Sequence, residues 1–553
     1  MSVPRKSDNA VQKIFLATLI LATIAITPYT SYEPFNSPKF FLISILTCGF
    51  LFLLLFRGNF KNFYESSRSV FILTVLFIVQ SLIILFMGPT LITQQLFGVN
   101  GRNTGFILYI ILLALLISTY VFCTHKFYYR LVISLIITGL LNTVYGILQY
   151  FGLDPFNWTN PYNPVFGFFG NPNFQSAFLG LASAPIWALF FDSTIVKRKR
   201  FLLLFLASLN LMIIISTSSQ QGVIVFVAGF FIVLLVAVVK LPRISKYAKY
   251  VGLSTLLIAT LAVLDILQKL PWRSILYKES VSNRGDLWRA AWNMAVEYPL
   301  TGVGFDGYGY FYRQYRDLTA IVERGVGTTS NSAHNVYLDI LANGGFPLLL
   351  IYLSLLVLVL KSVYIGMTRS KNYDPIFTAL VASWICYQLQ AVISINQIGV
   401  AAWGWVLSGA VLGYERISRS NQKETEHVKH EKIRKVFFGA TAGVVFGALI
   451  ASPPILADTN FRSALDSKQI ESVLDSAYKW PQTPETMFQV AAIFRQNNLL
   501  DLSAQVAKDA TTLFPRSYEN WELLTTLSNL SEIEKNQAYS QMRKLDPLNQ
   551  TIK

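Results

Sequence analysis

Charge is scarce in this chain: of its 553 residues only 14% are Asp, Glu, Lys or Arg, while 53% are hydrophobic. A water-soluble domain of this size does not need that profile, so the composition indicates a membrane protein. Cysteine is scarcer still. Cys48, Cys123 and Cys386 fall in or at the ends of apolar runs without C-x-x-C spacing, which excludes a disulfide framework and a structural zinc site. Histidine occurs four times and no His/Cys cluster exists, nor does a D-x-D pair appear in the loops assigned below to the outer side, so the sequence calls for no metal and no other cofactor.

Long apolar runs are plentiful. They recur from Ile14 to Pro453, each about 18 to 22 residues and long enough to cross a hydrocarbon core of roughly 30 Å. The expected fold is an all-α polytopic bundle of about 12 to 13 transmembrane helices. The first run is too long, and too closely followed by others, for a cleaved signal peptide, so it reads as a retained helix. The net charge of +16 follows the membrane topology: Lys and Arg collect in alternate short loops, at Arg57 to Arg68, Lys197 to Arg200, Lys240 to Lys249 and Arg416 to Lys435. By the positive-inside rule those loops and the N-terminus are cytoplasmic, and no nucleic-acid partner is needed to explain the charge.

Alternation from that N-terminus puts the loops around Arg102 and Asn171, the long loop 269–345, and everything after Pro454 on the outer side of the cytoplasmic membrane. The chain divides into a transmembrane part, 1–456, and an extracytoplasmic part, 457–553. The tail has a soluble, helix-forming composition. "DSAYKWP" (Asp475 to Pro481) is echoed by "DATTLFP" (Asp509 to Pro515), and "RKLDP" ends at Pro547, prolines spaced by about one tetratricopeptide period of roughly 34 residues. Phe488, Ala491, Ala492 and Phe494, then Trp521, Leu524, Leu527 and Leu530, fit the inner faces of helical hairpins; a capped bundle with chance spacing is the other reading.

In the long outer loop, Asp286, Arg289, Asn293 and Glu297 oppose Leu287, Ala291, Met294 and Ala295, an amphipathic helix suited to the membrane surface, with Trp288 and Trp292 at the interface. Arg284 stands at its start, where free N–H groups already favour an anion and a planar guanidinium fork matches phosphate; a snorkelling surface arginine is the alternative. "GVGFDG", Gly302 to Gly307, follows a helix rather than a strand and fails as a dinucleotide motif. Arg313, Arg316 and Arg324 add positive charge to a loop that also holds acids. In "SNSAHNVYLDILANGG", Ser330 to Gly345, Ser332 is the expected N-cap of a short helix that stops at Gly344 and Gly345, which puts His334 in the first turn, where the dipole would keep its ring neutral. His125, His427 and His430 lie in cytoplasmic loops, so His334 is the one outward histidine, catalytic or structural. At other span mouths stand Asn171 and Asn173, with capping the plainer role for Asn173, and Arg102, which lacks an evident counter-charge and suits an anionic lipid group.

With these residues in view, the chain resembles the O-antigen ligase and polymerase superfamily, which includes protein O-oligosaccharyltransferases. The resemblance rests on "FGNPNF" at Phe169 to Phe174, on "RGDLWRAAW" followed by "YPLTGVGF" at Arg284 to Phe305, and on "SAHNVYLDILANGG". It departs from the family's Ser-Arg-Gly pattern at "STSSQQGV", where Gln220 and Gln221 stand. The resemblance implies transfer of a glycan from a polyprenyl diphosphate donor to a lipid, glycan or protein acceptor, Arg284 holding the diphosphate and His334 acting near the acceptor hydroxyl. Arg102, Arg289, Arg313, Asn335, Asn171 and Asn173 are the candidate substrate-binding residues. A metal-independent single displacement, inverting at the sugar carbon, would suit such a set. Ligase, polymerase and protein-glycosylating activities share these motifs. A lipid-linked glycan flippase would instead need ionisable groups at mid-membrane, where the spans are nearly charge-free. The tail could also engage a protein partner.

Overall fold

A computed structural model describes residues 6–56, 63–64, 67–121, 124–158, 163–266, 269, 284–419 and 433–552. Cys123, His427, His430, Arg57, Lys61 and the start of the amphipathic stretch at Ser282 lie outside the described residues. Among those described there is no strand. The membrane part comprises α1 (Lys6–Ile24), α2 (Asn36–Phe56), α3 (Arg68–Met87), short α4 (Ile92–Phe97), α5 (Phe106–Val121), α6 (His125–Tyr150), α7 (Pro172–Phe190), α8 (Lys197–Ser216), α9 (Gln220–Lys240) and α10 (Ala248–Ile266). The long loop adds α11 (Arg284–Glu297), α12 (Tyr308–Tyr315) and α13 (Leu318–Arg324). The chain returns through α14 (Val336–Arg369), α15 (Pro375–Ala391), α16 (Ile398–Arg419) and α17 (Ile433–Ser467), then ends in α18 (Ile470–Ala477), α19 (Pro484–Gln496), α20 (Leu500–Leu513), α21 (Tyr518–Thr525) and α22 (Glu532–Leu545).

Seven described helices are long and apolar enough to cross a membrane: α2, α3, α6, α8, α9, α14 and α17. The sequence led us to expect about thirteen, and the difference has a physical basis. Helix α7 is buried along its length from Gln175 to Leu189 against α6, α8, α9 and α15. A helix walled in by other helices meets little lipid, so it can use small and polar residues such as Gly180, Ser183 and Ala184 for close approach. Helices α15 and α16 are buried in the same way. The most extensive pairing is α2 with α17, where Gly443 lies so close to α2 that a Cβ there would come within 2.3 Å of the Cys48 carbonyl oxygen.

Side-chain contacts sort the loops into two ends. At one end Lys240 donates to the Ser370 carbonyl (2.6 Å), Arg369 and Arg419 pair with Glu415, and the Arg416 guanidinium lies over Tyr120, gathering the basic loops. At the other, Lys39, fully buried at the start of α2, donates to the carbonyls of Ala25 (2.6 Å), Phe35 (3.1 Å) and Phe168 (2.8 Å). Three carbonyls satisfy the three ammonium donors, so this lysine pins the α1–α2 loop to the "FGNPNF" turn. The long loop before α14 and the tail sit at this end too. Within the tail, successive helices pack on one another around Val490, Phe494, Ala507 and Leu524. In α19 the buried stripe is Met487, Val490, Ala491 and Phe494; Phe488 and Ala492, expected inside, are only partly buried.

Candidate functional site

The long loop builds a small core of its own from Leu287, Ala291 and Met294 of α11, Tyr308, Phe311 and Tyr312 of α12, and Ala333 and Ala342. This core holds α11 against the first turns of α14. The apolar face of α11 is therefore the predicted one, but Asp286 joins it, buried beneath Arg289 and Arg324, while Trp292 remains half exposed. Helix α14 is broken at Gly345, whose backbone (φ 69, ψ −178) no side-chain-bearing residue adopts cheaply. The break lets Phe346 N–H reach the Pro299 carbonyl (2.9 Å), and Val303 N–H reaches the Ala342 carbonyl (2.8 Å). A Cβ on Gly302 would lie 2.3 Å from that same Ala342 oxygen. The glycines of "GVGFDG" thus serve the turn after Pro299.

That segment also positions Asp306. Its Oδ2 accepts from Val99 N–H and Thr104 Oγ1, both at 2.8 Å, and its Oδ1 lies 3.5 Å from the Arg102 guanidinium. Arg102 in turn donates to the Asn331 carbonyl. The expectation of an uncompensated Arg102 is thereby corrected: Asp306, distant in sequence, supplies a counter-charge. Together they fasten the mouth of α5 to the peptide that carries His334.

The cap at that peptide also differs from expectation. The N-cap of α14 is Asn335, not Ser332, its side chain accepting from Tyr337 and Leu338 N–H (3.0 and 3.1 Å). His334 precedes the helix, in the left-handed region at φ 51. An asparagine three residues closer to the apolar face competes for the cap, and it wins by reaching two N–H groups. His334 makes no side-chain hydrogen bond to any described residue. Its pKa is depressed to about 4, first by burial, then by the nearby charges of Arg284 and Arg102. The direction agrees with the sequence reading, but burial and two cations produce it; the ring lies outside the first turn.

Arg284 opens α11, half-buried, with no hydrogen bond and no carboxylate among the described residues; burial alone lowers its pKa. The other candidate cations differ. Arg289 is held by Asp286, Asp317 and Thr319. Arg313 faces Glu519 and Asp546, each 3.6 Å away, with its guanidinium 4.0 Å from the Tyr518 ring centre. Both charges are spent on partners. Asn171 caps α7 by accepting from Asn173 N–H (2.8 Å), whereas Asn173, for which capping was the plainer expectation, accepts from Ser219 (2.8 Å) in the α8–α9 turn. Gln221, at the departure from the family pattern, is buried and donates to Gln390 (3.3 Å). The structure thus brings together Arg284, Arg102 and His334, with Asn335 beneath. Sequence reasoning missed Asp306 and Lys39. A lone lysine entering an apolar run was a readable signal; Asp306 carried none.

No group of three or more His, Cys, Asp or Glu able to hold a metal occurs among the described residues. No curated protein matches the chain. Residues 201–353 match the family model described as O-antigen ligase, a stretch that runs from α8 into α14 and contains both Arg284 and His334. Over this segment the chain is similar to the O-antigen ligase family, and its apolar helices make it a multi-pass membrane protein.

Proposed function

We propose that the protein transfers a glycan from a polyprenyl diphosphate carrier to an acceptor hydroxyl on the outer face of the cytoplasmic membrane, as an O-antigen ligase does. Arg284 carries this reading: a half-buried guanidinium that meets no carboxylate among the described residues, beside a neutral imidazole. The acceptor oxygen attacks the anomeric carbon, the bond from that carbon to the diphosphate oxygen breaks, and the diphosphate leaves as an anion. Arg284 stabilises the charge on the leaving group, a preorganised cation placed where charge develops. The acceptor proton goes to His334, and a single displacement inverts the sugar carbon. The positive charge comes from the protein, so the reading needs no metal.

Arg102 supports the site by its charge and by holding the Asn331 carbonyl, whereas Arg289 and Arg313 have no role at the diphosphate. A histidine with a pKa of about 4 is a weak base, and a catalytic base works best with a pKa near the operating pH. Donor phosphates beside Arg284 would offset the two cations and raise it. Donor binding therefore precedes and enables proton transfer.

The test is purified protein with a polyprenyl diphosphate oligosaccharide and candidate acceptors. His334→Ala is expected to bind donor and fail in transfer; Arg284→Glu is expected to lose donor affinity. Wild-type transfer in the first, or unchanged donor affinity in the second, removes that residue from its role. Product length separates ligase from polymerase, since only chain extension gives a ladder.

A further inference from the structure

Between the outer loop and the tail lies a cavity of about 300 Å³, at the lower end of the roughly 300–1,000 Å³ that small-molecule sites occupy. It is walled by α12 and the Thr329–Asn331 peptide on one side and by α19 and the start of α21 on the other. Four polar atoms on its lining residues are buried without a protein partner: Glu485 Oε2, Gln489 Oε1, Arg313 Nε and Arg516 Nε. Buried polar atoms are rarely left unpaired; these four lie just behind the cavity wall, and a ligand reaches them when their side chains turn toward it. Their partners within the protein fix the residues without using these atoms. Tyr310 Oη donates to the other Glu485 oxygen (2.9 Å), and Arg516 stacks on Phe311 and donates to Gln314.

The chemistry of the four is mixed, two acceptors and two donors. A phosphate or carboxylate would use the arginine donors but would meet the bare acceptor Gln489 Oε1, the Glu519 carboxylate on the same wall, and a Glu485 carboxyl that burial already pushes up to about 7. A hydroxyl both donates and accepts, so a cluster of hydroxyls satisfies both kinds. Tyr310, Phe488 and Tyr518 add aromatic surface to the same walls, and the negative face of an aromatic ring attracts the weakly positive C–H groups of a sugar. The Thr329–Asn331 wall continues within three residues to His334, with Arg102 bound to the Asn331 carbonyl behind it. We propose that this cavity binds neutral sugar units of the acceptor and delivers the attacking hydroxyl along the Thr329–His334 peptide. The word acceptor rests on the transferase reading; the sugar site does not.

Full-length protein in nanodiscs is probed with chitotetraose and maltotetraose, following amide exchange. At least one is expected to slow exchange in 309–316, 484–490 and 516–520. Glu485→Gln and Phe488→Ala are each expected to abolish that protection, with exchange in α20 and α22 unchanged as the folding control. In transfer assays Glu485→Gln is expected to raise the acceptor KM about tenfold, the loss of one hydrogen bond. No protection by either sugar, or protection that survives both substitutions, overturns the site. Protection competed away by polyprenyl diphosphate glycan overturns its assignment to the acceptor. Sugar binding in a wild-type protein that transfers no glycan leaves the cavity standing and sinks the transferase reading, so the two fail separately.

Discussion

His334 is where charge and proton equilibrium meet. An imidazolium beside Arg284 and Arg102 is disfavoured, so its folded pKa of about 4 lies below the ordinary 6.5. Arg284→Gln removes one of those cations and is expected to raise the pKa, as is inorganic pyrophosphate bound beside Arg284; histidine-labelled NMR reads both. An unchanged value in the variant would show that Arg284 plays no part and that burial and Arg102 set it. Stability carries the same sign. Between pH 6.5 and 4 the unfolded chain takes up a proton that folded His334 refuses, so its contribution is intact above 6.5 and declines as pH falls toward 4. Arg284 and His334 were legible because each stood in a polar stretch amid apolar runs. The pairing of Arg102 with Asp306 was not, since nothing local links two residues so far apart in the chain. Depth was illegible too, and depth decides that Asp286 is a buried anchor and Arg289 its counter-charge.

At the scale of elements, the apolar runs displayed the bundle, but the breaks did not announce their purpose. "LANGG" reads as a helix stop, yet α14 continues for another 24 residues beyond Gly345, because Phe346 N–H finds the Pro299 carbonyl and the chain can resume at once. An alanine at 345 would meet both a φ reserved for glycine and a carbonyl 2.6 Å from its Cβ. Gly345→Ala is expected to cost at least about 1–3 kcal/mol from backbone strain alone. Because the break orients the turns that carry Asn335 and Asp339, transfer activity should fall as well. Thermal unfolding in detergent and a transfer assay measure the two effects, and a melting temperature within error of wild type would contradict the strain. Asn335→Ala should cost about 1 kcal/mol through its lost cap, with Asn335→Asp recovering most of it. Equal losses in both variants would mean the amide does something other than capping.

For the molecule as a whole, the tail is joined to the long loop through charge as well as apolar contact. Arg316 and Asp546 face each other at 2.6 Å with both side chains fully buried; the same Nη2 also donates to the Val326 carbonyl (3.0 Å) and Nη1 donates to the Thr328 carbonyl (2.8 Å). A buried pair contributes less than its Coulomb energy suggests, because both ions were stripped of water; removing one partner is the costly change, about 3–5 kcal/mol, since it strands the other. Arg316→Met is therefore expected to loosen the docking of α18 to α22, with faster amide exchange in 313–328 and 540–549. Asp546→Leu alone should do the same by stranding Arg316. Arg316→Met with Asp546→Leu removes both members of this pair and leaves Arg313 opposite Glu519, so it should recover much of the protection, and the double variant is predicted to be less damaged than either single one. Additive losses would mean that the two residues act separately and that the tail is held by its other contacts. If docking shapes the cavity beside Thr329, acceptor KM should rise in each single variant and fall back in the double one, whereas donor affinity, set at Arg284 on the other side of the peptide, should stay level throughout.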